Sequence, residues 1–125
     1  MRRVPVAWQT RTVTNIFTDR QWLTLSETAE ALGVTQSRVR KLIEERQLLA
    51  VKRDGILSVP ADFLRDDEPL SELRGTLYVL ADAGFDDDEA MQWLLTDEES
   101  LLVPPIDALR AGRKAEVRRV AQALA

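Results

Sequence analysis

Gly33 is preceded at four residues by Ala29 and followed at one, six and nine residues by Val34, Val39 and Leu42. A small residue four positions before a glycine lets two helices cross closely at a tight turn. The glycine takes the left-handed conformation that ends the first helix, and the later apolar residues give the second helix one buried face. Ser26, as N-cap, then Glu27, Ala29 and Leu32 read as a short helix that Gly33 closes. Thr35 reads as the cap of a second helix, in which Val39, Leu42 and Ile43 fall at i, i+3 and i+4. Only Thr28, where an aliphatic residue is commoner, departs from the pattern. After Gln47 the period shortens to nearly two, in "LLAVK" and "ILSVP", with Asp54-Gly55 between them. Asp-Gly between β-prone runs signals a hairpin, because a type I′ turn needs positive φ at both central positions. Pro60 ends the second strand.

Helix, turn, helix and hairpin, in that order, make a winged helix-turn-helix. With Val39, Leu42 and Ile43 inward, Ser37 and Lys41 point most directly outward, and Arg38 and Arg40 take the two shoulders. They occupy the N-terminal half of the helix, the half that enters a major groove. Glu44 and Glu45, which repel phosphate, lie at the trailing end. Arg38 or Arg40 suits a bidentate pair with guanine and Gln36 suits adenine, each worth about 1–3 kcal/mol of discrimination. Lys52 and Arg53, at the hairpin tip, fall over backbone phosphates as a wing, which supplies affinity and reads no sequence. The expected contacts to double-stranded DNA are therefore Thr35, Gln36, Ser37, Arg38, Arg40, Lys41, Lys52 and Arg53. A local reading competes: Arg40 and Glu44, like Lys41 and Glu45, stand four apart, the spacing of ordinary surface ion pairs.

Charge along the chain runs the same way. Residues 1–60 hold ten Lys/Arg against six Asp/Glu, residues 61–125 seven against fifteen, within a total of −4. Such a split turns the basic half toward a polyanion and leaves the acidic half off it or facing another partner. There is no Cys and no His, which removes disulfides, zinc-finger chemistry, thiol nucleophiles and imidazole catalysis. The remaining carboxylate cluster, Asp86-Asp87-Asp88-Glu89, lacks the alternating spacing and internal glycine of a calcium loop and fits an acidic helix start. No enzyme, cofactor or metal is expected. No apolar run approaches the roughly 18 residues of a membrane span. "VPVAW", after Arg2 and Arg3, is too short for the core of a signal peptide. The default location is cytoplasmic.

The expected organisation is a flexible arm over 1–22, a winged helix-turn-helix over 23–65 and an acidic helical region over 66–125. In the arm, "TVTNIF" is a candidate strand. "RDDEP" reads as a link, followed by a helix over roughly 70–83 with Leu73, Leu77 and Leu80 inward. Further helices are expected over 87–95, over 106–111 and over 113–124, the last burying Val117, Val120, Ala121 and Leu124. The fold class is mainly α: a winged helix-turn-helix with a small β-hairpin and a C-terminal helical bundle. No long heptad helix follows the wing, so coiled-coil dimerisation is not expected.

Residues 23–64, "LTLSETAEALGVTQSRVRKLIEERQLLAVKRDGILSVPADFL", resemble the excisionase- and MerR-type winged helix domains. The continuations "LRGTLYVLADAGFDDDEAMQWLLTDEESL" and "PIDALRAGRKAEVRRVAQALA" are similar to the C-terminal region of a small family of actinobacterial DNA-binding proteins, the Rv2175c type. The resemblance implies a DNA-binding role for Arg38, Arg40, Lys41, Lys52 and Arg53, and phosphorylation by a Ser/Thr protein kinase. It does not extend to the arm, so Thr10, Thr12 and Thr14 are candidate acceptors only. "AMQWLL" and "PPIDALRAG" also resemble the toxin-binding region of Xre/MbcA/ParS-type antitoxins, although the loop "TDEESLLV" lacks the usual glycine. That resemblance implies a protein partner or self-association through 66–125. Trp93 and Leu94, at helical spacing from Ala90, fit a core better than an interface.

Overall fold

The computed structural model describes residues 20–125. The candidate strand "TVTNIF", Thr10, Thr12, Thr14 and most of the expected arm lie outside them. The first strand, β1 (Trp22–Thr24), runs straight into helix α1 (Leu25–Leu32). Thr24, not Ser26, is the N-cap. The Glu27 N–H donates to the Thr24 hydroxyl at 3.1 Å, and the Glu27 carboxylate accepts from the Thr24 N–H at 2.9 Å. Ser26 has Ala29 three residues on and cannot close this reciprocal box. Thr28 is fully buried, but its hydroxyl donates to the Thr24 carbonyl at 2.7 Å, so the position that departs from the aliphatic pattern carries no unmet polar group. Gly33 ends α1 at φ +69°, and the Val34 N–H bonds back to the Ala29 carbonyl at 3.0 Å.

Helix α2 (Gln36–Glu44) starts on Thr35, whose hydroxyl accepts from the Arg38 N–H at 3.1 Å. Val39 and Leu42 are buried beneath it and Ile43 is half-buried. It ends without a glycine. Arg46 takes φ +64°, and the N–H groups of Arg46 and Gln47 bond to the carbonyls of Ile43 and Leu42. Leu48, Leu49 and Ala50 then plug the core.

Strands β2 (Val51–Arg53) and β3 (Ile56–Pro60) pair antiparallel around Asp54 and Gly55, both at positive φ, as the Asp-Gly signal predicts. β1 pairs with the other edge of β3, Trp22 opposite Pro60 and Thr24 opposite Ser58, giving the order β1-β3-β2. The sheet thus takes in Trp22, the last residue of the expected arm. Arg20 is held too: its guanidinium bonds Asp62 at 2.7 Å and Asp107 at 3.0 Å. Burial acts to lower its pKa, but the hydrogen bonds to Asp107 and Asp62 outweigh it and the value rises.

A short 3₁₀ turn (Ala61–Phe63) leads into a second hairpin, β4 (Leu64–Arg65) with β5 (Glu68–Pro69), turned by Asp66 and Asp67 at φ +52° and +65°. The expected link is therefore an ordered turn. Four helices follow: α3 (Leu73–Asp82), α4 (Asp87–Leu95), α5 (Pro105–Arg110) and α6 (Lys114–Gln122). Leu70 precedes α3 instead of starting it, and is buried as its N–H bonds the Phe63 carbonyl at 2.8 Å. On α6, Val117 and Ala121 are buried and Val120 is half-buried, but Leu124, past the helix end, is 43% exposed. A single apolar cluster runs from Leu48, Leu49 and Phe63 to Leu77, Leu94, Ile106 and Leu109. Each such fully buried side chain contributes about 1.5–3 kcal/mol. Arg110, reaching from α5 to the carbonyls of Asp62 and Leu64 at 2.9 and 2.7 Å, fixes the acidic helices against the winged part.

Candidate nucleic-acid interface

Sequence periodicity predicts that the leading half of α2 carries outward cations, and the side chains of Thr35, Gln36, Ser37, Arg38, Arg40 and Lys41 are all exposed. Val39, between the two arginines, is fully buried, which fixes the rotation of the helix. Among the described residues Arg38 and Arg40 form no ion pair, so the local Arg40–Glu44 alternative is not formed. Lys41 approaches Glu45 only at 4.0 Å with 61% of its side chain exposed, a contact of negligible strength. The acidic helices do not cover this end. Backbone N–H groups at the start of α2 and its dipole add to the positive field there.

The wing is less uniform than the sequence implies. Lys52 and Arg53 are adjacent on β2 and so point to opposite faces of the sheet. Lys52 is exposed and borders a shallow groove shared with Arg46, Val51, Leu57 and Asp86–Asp88. Arg53 is half-buried, with its guanidinium 4.4 Å from the Trp22 ring centroid. Directly opposite Arg53 across the ladder, Ile56 is 56% exposed. Lys52 and Arg53 therefore face opposite sides of the wing. Trp22 and Ile56 escape sequence reading because only the pairing of three strands brings them beside the wing cation.

The carboxylates of the acidic cluster have structural work. Asp86 caps α4, accepting from the Glu89 N–H at 2.8 Å while Glu89 accepts from the Asp86 N–H at 2.9 Å. Asp87 accepts from Arg46 at 2.8 Å. At the other end of α4, Leu94 is fully buried and Trp93 is half-buried against the core, so both side chains serve packing.

Two family models match the chain: the one described as "DNA-binding protein Rv2175c, wHTH domain" over residues 13–64, and the "Rv2175c C-terminal domain of unknown function" over residues 70–125. A relative from Mycobacterium tuberculosis (strain ATCC 25618 / H37Rv), DNA-binding protein Rv2175c, is 37% identical over 114 residues, covering 81% of this chain and 78% of its own. The chain belongs to the Rv2175c family. The NMR structure of Rv2175c superposes with a TM-score of 0.78 at 36% identity, covering 86% of this chain and 82% of that one. The match to two consecutive Rv2175c models meets at the β4–β5 hairpin, where the winged part passes into the acidic helices. The family is named for DNA binding and not for catalysis. No helix among the described residues is long and apolar enough to cross a membrane.

Proposed function

We propose that this chain binds double-stranded DNA with sequence preference and acts as a transcriptional regulator. The leading half of α2 enters the major groove: Arg38 and Arg40 reach guanine edges, Gln36 reaches adenine, and Thr35, Ser37 and Lys41 lie against the flanking backbone. Lys52 and Arg53 meet phosphates from the two faces of the wing. The observation that carries this reading is the asymmetry of α2, whose exposed arginines lack any ion pair among the described residues while its glutamates stand at the far end. The printed name of the 37% identical relative supports it. Such a role belongs in the cytoplasm.

The test is a salt-controlled titration of duplex DNA against wild type and the Arg40→Ala/Lys41→Ala variant. Affinity falls at least tenfold without loss of fold, and the log–log salt slope shrinks by about one for each phosphate-contacting cation removed. Unchanged affinity overturns the proposal. Control by a Ser/Thr kinase is a second layer of it: a phosphate adds about −1.5 to −2 charge, and on the arm beside Arg2, Arg3 and Arg11 it weakens duplex binding. Equal affinities of wild type and a Thr-to-Glu series at Thr10, Thr12 and Thr14 remove that layer.

A further inference from the structure

The two ends of α2 are held very differently. Among the described residues its leading end is held by the Thr35 cap, with Arg38 and Arg40 exposed beside it, whereas two polar contacts from the C-terminal helices converge on its trailing end. From α3, Arg74 donates through Nε to the Glu45 carbonyl at 3.0 Å. Arg74 is itself steered by Tyr78, whose hydroxyl lies 3.2 Å from its Nη2 and whose ring centroid lies 5.3 Å from its Cζ. From α4, Asp87 accepts from Arg46 at 2.8 Å, on the residue that holds the left-handed turn closing α2. The Glu45 carbonyl is among those a helix leaves without an internal partner, and a cation there also complements the dipole.

Both contacts are exposed, so they do little to keep the chain folded. They are directional, which the apolar packing of Val39 and Leu42 is not. A nine-residue helix is roughly 13 Å long, so each 10° of rotation about its trailing end moves its leading side chains by about 2 Å. Base readout tolerates only a few tenths of an ångström, as any aligned hydrogen bond does.

We infer that Arg74 and Asp87 are positioning residues for base readout: the C-terminal helices, described in the family as a domain of unknown function, grip the trailing end of α2 and set the angle at which its cations meet the groove. The inference rests on the duplex reading above and goes beyond it, because neither residue is assigned a contact to DNA.

The test uses the full chain and two probes: the duplex that wild type enriches most strongly from a randomised pool, and a shuffled duplex of equal length. For Arg74→Ala and Asp87→Ala the affinity ratio between the probes falls about two- to fivefold, the scale of an exposed charge-assisted contact, and for the double variant it falls further. Affinity for the shuffled probe and its salt slope stay as in wild type for Arg74→Ala. Asp87→Ala separates positioning from simple electrostatics, since removing an anion beside a polyanion site on its own tightens binding to both probes. Arg74→Lys and Asp87→Asn, which keep a donor and an acceptor, recover part of the ratio. An undiminished ratio in the double variant overturns the inference, as does equal weakening on both probes with a salt slope reduced by one. Absence of duplex binding by wild type instead overturns the duplex reading itself. Should Arg74→Ala lose its fold, Asp87→Ala decides alone, because Asp87 is exposed and the Asp86 cap beside it is untouched.

Discussion

The guanidinium of Arg53 on β2 stacks 4.4 Å from the ring centroid of Trp22 on β1, across the intervening strand β3. The register puts both on one face of the sheet, since Trp22 lies opposite Pro60 and Arg53 opposite Ile56. A cation over an indole at a partly exposed site is worth about 0.5–1 kcal/mol. A double-mutant cycle with Trp22→Leu and Arg53→Ala, read by urea denaturation, is expected to return a coupling of that size. Additive effects of the two changes show that the stacking contributes nothing.

Replacing Gly33 tests backbone conformation without packing. Its φ is +69°, and a Cβ there meets nothing within 4 Å. Gly33→Ala therefore costs only the strain of a left-handed residue, about 1–2 kcal/mol. Thermal or urea unfolding should show that loss with an unchanged circular dichroism spectrum. A loss well beyond it means that the turn itself rearranges.

Local signals carried the sequence reading where the structure is local. The Gly33 turn, the Thr35 cap and the Asp54-Gly55 hairpin each depend on residues a few positions apart, and each appears as expected. The Asp86 start of α4 is legible for the same reason. What escaped is long-range or conformationally atypical. β1 has three residues, too few to show alternation, and exists because β3 offers it an edge. Asp66, Asp67 and Arg46 adopt positive φ without a glycine to announce it. Of the site, the leading face of α2 follows from 100° per residue. The opposed orientation of Lys52 and Arg53, the Trp22 platform and the grip of Arg74 on Glu45, 29 residues away, follow only from tertiary pairing.

Glu72 carries a pH-dependent part of the stability. The Ser71 hydroxyl, donating to its carboxylate at 2.8 Å, is the main cause of a pKa below the usual 4.5, with Arg65 and Lys114 adding to it against the opposing effect of burial. A lowered folded-state pKa stabilises the protein above the unfolded value, and that stability is lost as pH falls through the folded value. Ser71→Ala should raise the Glu72 midpoint in an NMR titration. It should also lower stability near neutral pH by an amount that disappears at pH values below the Glu72 transition. A midpoint that does not move removes Ser71 as the cause.

Gly75, inside α3, lies against Arg118 of α6. A Cβ there falls on the guanidinium of Arg118, whose Nε is buried with no hydrogen-bond partner among the described residues. Glycine in a helix interior costs about 0.5–1 kcal/mol relative to alanine, so the position is held open for the arginine at the expense of α3. Arg118→Ala removes the obstruction and the unmet donor together. In that background Gly75→Ala is expected to stabilise by the full helix-propensity difference. In wild type it should gain less, because the guanidinium must first swing out from the α3–α6 seam. The four unfolding free energies form a cycle whose coupling should be at least about 0.5 kcal/mol, the lower end of what contacting residues show. Equal gains from Gly75→Ala in both backgrounds mean that Arg118 does not rest on Gly75 in solution.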